Sequence, residues 1–103
     1  MEPIQIHNLA WEAARKAASD FIAQYGEPFY CGFAWVEFPG TTEFARKLKK
    51  AGVAGKAYPK GMQVWNPGGH VTQSMDIKEA AAQAYASVLR QHGVDAWANS
   101  RAD

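Results

Sequence analysis

Three stretches of helical periodicity close in the same way, and that repetition limits the fold more than any other feature. Each ends in a polar turn, then a glycine, then an extended apolar run. In the first, Ala10, Ala13, Ala14, Ala17, Phe21 and Tyr25 recur at three- and four-residue spacing, the period of an amphipathic helix. Asn8 is expected to cap it, and Gly26 to follow as the left-handed residue that ends it. The second follows Pro39-Gly40, with Thr41 as expected cap, Phe44, Leu48 and Ala51 on one side, and Gly52 at its end. The third is expected near Asp76, where Asp76 and Glu79 have capping-box spacing. Its stripe is Ile77, Ala80, Ala81, Ala84, Tyr85 and Val88, and Gly93 closes it.

The runs between them read as strands. Residues 29–38 (FYCGFAWVEF) are aromatic, stop before Pro39, and are apolar enough for a central strand. Residues 54–58 and 62–66 flank Pro59-Lys60-Gly61, a tight-turn signal, so a hairpin is expected. Residues 94–98 (VDAWA) form the last run, and residues 99–103 are expected to fray. The order is therefore α-β-α-β-β-α-β. It predicts an α+β fold of two layers: a three- or four-stranded mixed sheet with three helices, packed mainly on one face. Small alanines let helices approach closely, and four tryptophans and five phenylalanines supply the bulk. Aromatics on an uncovered second sheet face make a binding surface or an oligomer interface.

Composition supports one domain over residues 1–103. A chain of this length buries roughly two-thirds of its unfolded surface, and 48% hydrophobic with 20% charged residues is a globular balance. No run reaches the ~20 apolar residues of a membrane span. The Met-Glu-Pro start lacks the basic and apolar regions of a secretory signal, so a cytoplasmic protein with no membrane partner is expected. The single cysteine, Cys31, excludes an internal disulfide and any multi-cysteine metal site.

Charge is unevenly placed. Between Phe44 and Met75 there is no acidic residue, and Arg46, Lys47, Lys49, Lys50, Lys56 and Lys60 all fall there. Beside Tyr58 and Trp65, such a cluster suits phosphate attraction with base stacking. A solvated helix face whose cations oppose the helix dipole explains Lys47 and Lys50 equally well. Arg101 offers a fork for a phosphate, and the helix start at Ser74 offers an anion contact.

Catalytic patterns are thin. Cys31, inside the most apolar run, reads as a buried inert thiol. His70 follows two glycines in a loop and is the histidine best placed to meet a ligand; with Asp76 or Glu79 it would make an acid–base pair. Capping explains both carboxylates without further assumption. His92 suits the last turn of its helix. The glycines of Asn66-Pro67-Gly68-Gly69 match neither phosphate-loop nor dinucleotide fingerprint. No cofactor or metal is implied.

Cys31-Gly32-Phe33-Ala34-Trp35-Val36 and Gln73-Ser74-Met75-Asp76-Ile77-Lys78-Glu79-Ala80 resemble motifs of a family of small uncharacterised proteins of tailed bacteriophages. Gly61 to Trp65, Leu89 to Gly93, and the tail residues Ser100, Arg101 and Asp103 resemble three more of its motifs. Asn99 stands where the family has glycine. The resemblance covers residues 30–103 and implies a phage protein acting in the cytoplasm of the bacterial host. It implies no activity. Together these readings lead to a non-catalytic module that binds a phosphate-bearing partner, a nucleic acid or a nucleotide. The alternatives are an inhibitor of a host bacterial protein and a small enzyme built on His70. An open sheet edge leaves room for a homodimer.

Overall fold

The computed structural model describes residues 1–27, 30–70, 72 and 74–103. Along them run helix α1 (Pro3–Tyr25), strand β1 (Gly32–Phe38), helix α2 (Glu43–Lys50), strands β2 (Gly55–Lys56) and β3 (Met62–Trp65), helix α3 (Met75–Gln91) and strand β4 (Trp97–Ala102). The α+β class and the element order are those expected. Phe29, expected at the head of the first strand, and Gln73, in the motif before the third helix, lie outside the described residues.

Two of the three glycine endings share one mechanism. At α2, Gly52 N–H donates to Lys49 C=O and Val53 N–H to Leu48 C=O; at α3, Gly93 N–H donates to Arg90 C=O and Val94 N–H to Leu89 C=O. These paired bonds satisfy carbonyls that a helix end otherwise leaves without donors, and both glycines have positive φ. The apolar residue after each glycine, Val53 or Val94, takes the place where such endings add a hydrophobic contact. The helix starts differ from expectation. Glu2 and Gln5 form a reciprocal cap on α1, with Pro3 in its first turn, so Asn8 lies inside the helix. Thr42 rather than Thr41 caps α2, and Ser74 rather than Asp76 caps α3. At α1 and α3 an earlier extended residue that carries a side-chain acceptor takes the role; at α2 the next residue, Thr42, does.

The strands form one sheet in the order β2-β3-β1-β4. Every pairing is antiparallel, which corrects the expectation of a mixed sheet. The helical crossovers β1-α2-β2 and β3-α3-β4 do join parallel strands, but each skips one strand, so no parallel pair is adjacent. This is the split βαβ connectivity, βαββαβ, preceded by the extra helix α1. Strand β4 also corrects an expectation: it starts later than predicted and runs to Ala102, so residues 99–102 are paired with β1 rather than frayed.

One face of β1 is buried at Gly32, Ala34, Val36 and Phe38. These residues share a core with Leu48 of α2, Ile77, Tyr85 and Leu89 of α3, and the stripe Ala10, Ala14 and Ala18 of α1. Each buried Leu or Ile side chain contributes about 1.5–3 kcal/mol. Helix α1 packs chiefly on α3, and His7 Nδ1 meets the Tyr85 hydroxyl at 2.7 Å in the buried seam between them. Glycine permits two tight approaches. A Cβ at Gly32 would lie 2.6 Å from Met75 Sδ, and one at Gly68, where φ is +85°, would lie 2.9 Å from the Arg15 backbone nitrogen. The short axis of the molecule is 20 Å, enough for a sheet and one layer of helices about 10 Å thick. The second face of the sheet is uncovered.

Candidate functional site

The alternation that buries one face of β1 delivers Phe33, Trp35 and Glu37 to the other. Register then fixes their neighbours. Trp35 lies opposite Trp65 on β3 and Asn99 on β4, Glu37 opposite Gln63 and Trp97, and Phe33 opposite Arg101. The open face thus carries three tryptophans and a phenylalanine. Trp35 and Trp65 stack with centroids 4.8 Å apart at 30°, and Phe33 meets Trp65 edge-on at 6.3 Å. Trp65 is 46% exposed and Trp97 44%, so aromatic surface remains for a flat ligand.

The polar groups of this face are held in place. Glu37 Oε2 accepts from Trp35 Nε1 at 3.0 Å and also from the Asn99 side-chain amide. Arg101 and Lys78 both sit over the Phe33 ring, 5.6 and 5.2 Å from its centroid, within cation–π range. Lys78 reaches the sheet for a backbone reason. Asn66 N–H donates to Ala34 C=O, and β3 then turns away. The Gly32 carbonyl, two residues back and pointing the same way, takes Lys78 Nζ at 3.1 Å, so a buried acceptor is satisfied.

A second surface lies behind the β2–β3 hairpin. Arg46 and Lys49 of α2, Lys56 of β2 and Lys60 of the turn surround a cleft of about 410 Å³. Arg46 Nη1 donates to Thr41 C=O at 2.9 Å. Among the described residues none of these four cations is in an ion pair; both ion pairs lie on α1. A further cleft of about 540 Å³ opens at the end of the sheet, lined by Glu37, Phe38, Trp97 and the Pro59-Lys60-Gly61 turn. Lys60 lines both clefts and joins the basic surface to the aromatic one.

The structure therefore brings together Arg46, Lys49, Lys56 and Lys60, and separately Trp65 and Arg101. Lys47 and Lys50 are exposed on α2 and do not line the basic cleft. Tyr58 is 95% exposed at the hairpin tip, at the other end of β3 from Trp65. Ser74 is only 2% exposed, and its hydroxyl accepts from Ile77 N–H; capping consumes it, and it is left out of the site. Cys31 is exposed, not buried, and bridges to Ser74 just ahead of β1. Glu79 accepts from the Ser100 hydroxyl at 3.1 Å. Among the described residues no hydrogen bond or ion pair joins His70 to Asp76 or Glu79, and Glu79 is instead engaged by Ser100. Among the described residues no group of three His, Cys, Asp or Glu side chains is placed to hold a metal ion, and no helix is long and apolar enough to cross a membrane.

Phe33, Trp35, Glu37, Trp97, Asn99 and Lys78 are site residues that the sequence reading missed. The signal was present as small–large alternation, Gly32-Phe33-Ala34-Trp35, but small residues are apolar too, and the run read as uniformly buried. Comparison of the chain with protein-family models, with curated proteins and with solved structures finds no match in any of the three.

Proposed function

We propose that the protein is a non-catalytic binding module for a single-stranded nucleic acid, with bases on the open sheet face and phosphates in the basic cleft. The observation that carries this reading is the solvent-facing aromatic platform of Phe33, Trp35, Trp65 and Trp97. Folding gives no reason to leave three tryptophans on an uncovered sheet face, whereas base–aromatic stacking is worth about 1–3 kcal/mol per base. Four-stranded sheets of this connectivity present aromatics of their central strands to bases in RNA-recognition modules. That parallel is one of architecture and does not carry the function. The four cations of the hairpin cleft, none in an ion pair among the described residues, supply the sequence-independent attraction that phosphates require. The resemblance to tailed-phage proteins, on the residues quoted for it, implies an encounter in the cytoplasm of an infected bacterium, and we take that as part of the proposal.

The test is a tryptophan-fluorescence titration with a nine-residue oligothymidylate at several salt concentrations. The expected result is quenching, with an affinity that falls as salt rises along a log–log slope of about −3 if four phosphates are neutralised. Lys49→Glu should weaken binding at least several-fold at low salt. Absence of quenching at low salt rejects the reading. An aromatic face that instead captures a host protein, or a second copy of the chain, with little salt dependence redirects it to protein recognition.

A further inference from the structure

We infer that the cleft at the Glu37 end of the sheet is a guanine subsite. The inference rests on the single-strand reading above and names the base that reading leaves open. Glu37 is the one acidic side chain among the strand residues of the open face, an unusual presence on a surface meant for a polyanion. It is also anchored: both of its hydrogen bonds, from Trp35 Nε1 and the Asn99 amide, go to Oε2. Oε1 accepts no hydrogen bond among the described residues and belongs to a residue that lines the 540 Å³ cleft, a volume in the range of small-ligand sites.

An anchored carboxylate oxygen with free lone pairs is an acceptor and nothing else. It selects for donors and against acceptors. Guanine presents two adjacent donors on its pairing edge, N1–H and N2–H. Adenine and cytosine place one amino group beside a ring-nitrogen acceptor, and thymine and uracil flank a single N–H with two carbonyls. Each of these four would set a lone pair against the carboxylate. Guanine also carries O6 next to N1, and Lys60, in the lining of the same cleft, is a donor for it. Trp97 supplies the apolar wall. Charge-assisted bonds of this kind are the strong ones, and an acceptor that the bound base shuts off from water without giving it a donor penalises the wrong base.

The test compares nine-residue DNA strands that differ only at the central position: guanine, hypoxanthine, adenine or thymine in a thymidylate background. Guanine should bind about tenfold tighter than thymine or adenine, and hypoxanthine, which lacks the 2-amino group, should fall between. Glu37→Gln should erase the preference. The amide oxygen will keep the place that accepts from Trp35 and Asn99, so the NH₂ group will take the free place and turn the acceptor into a donor. The uridylate strands with the same central bases, and guanosine monophosphate alone, distinguish DNA, RNA and a free nucleotide as the source of the base. Equal affinity for all four DNA strands overturns the inference and leaves the single-strand reading standing. No binding of any strand overturns the reading itself, and the guanine subsite with it.

Discussion

The two faces of β1 are built from alternate residues of one seven-residue strand, yet they obey different rules. Gly32, Ala34, Val36 and Phe38 are graded in size to what presses on them: Met75 against Gly32, Phe44 against Phe38. Phe33, Trp35 and Glu37 have no helix packed across them; they meet side chains of their own face, and Lys78 reaches Phe33 from α3. The covered face is set by packing density, where even one methylene is felt. The open face is set by chemistry that the chain does not itself complete. Substitutions should therefore separate into those that cost stability and those that cost binding.

The largest effect is expected on the covered side. Leu89→Ala should destabilise the protein by about 2–5 kcal/mol in urea denaturation, while the molecules still folded bind an oligonucleotide as before. Trp65→Ala should do the reverse, with binding weakened about tenfold or more and a stability loss well below that of Leu89→Ala. If Trp65→Ala is the more destabilising of the two, the open face is part of the core and the contrast collapses.

A middle-sized effect concerns the seam between α1 and α3. Burial holds the His7 imidazole below its ordinary pKa, while burial pushes the Tyr85 hydroxyl upward, so the neutral pair, hydrogen-bonded between Nδ1 and the hydroxyl, is the folded form. Above pH ~6.5, the ordinary histidine value, both states are neutral and stability does not change. As pH falls below it, the unfolded chain takes up the proton first and stability declines. The slope is at most about 1.4 kcal/mol per pH unit for one proton. His7→Gln should flatten the slope between pH 6.5 and 5; an unchanged slope would show that the loss arises elsewhere.

The smallest expected effect is the most discriminating. Lys47→Glu reverses a charge on the same helix as Lys49 but outside the basic cleft. Near physiological ionic strength it should change affinity by no more than about threefold, as a screened exposed charge does. An effect equal to that of Lys49→Glu would mean that only the summed charge of α2 matters and that the cleft has no geometric role.

The covered face was legible in the sequence because helix periodicity, glycine stops and a Pro-x-Gly turn are local signals. Gly52 and Gly93 announce their helix ends without reference to the rest of the fold. The antiparallel sheet was not legible, since which strand a crossover skips is decided by packing at long range. The open face fell between. Trp65 was found through its neighbours in sequence, but Trp35 meets it only through register, thirty residues away along the chain. Arg101 was noticed for its charge and misplaced in a frayed tail, because the tail pairs with β1 through backbone groups that composition does not reveal. Lys78 stood in a motif but was not read as a site residue: its role follows from a carbonyl left over when β3 turns aside.

Lys60 stands where the two surfaces meet, at the rim of the sheet, and its position constrains the stiffness of whatever is bound. A ligand that uses both surfaces must pass from one side of a hairpin to the other within a few residues. Double-stranded DNA keeps its direction over about 150 base pairs and cannot follow such a turn. A single strand, free to rotate at every phosphodiester, can. On the single-strand reading proposed above, the corner would act as a mechanical filter, excluding the duplex by rigidity before any base or charge is read.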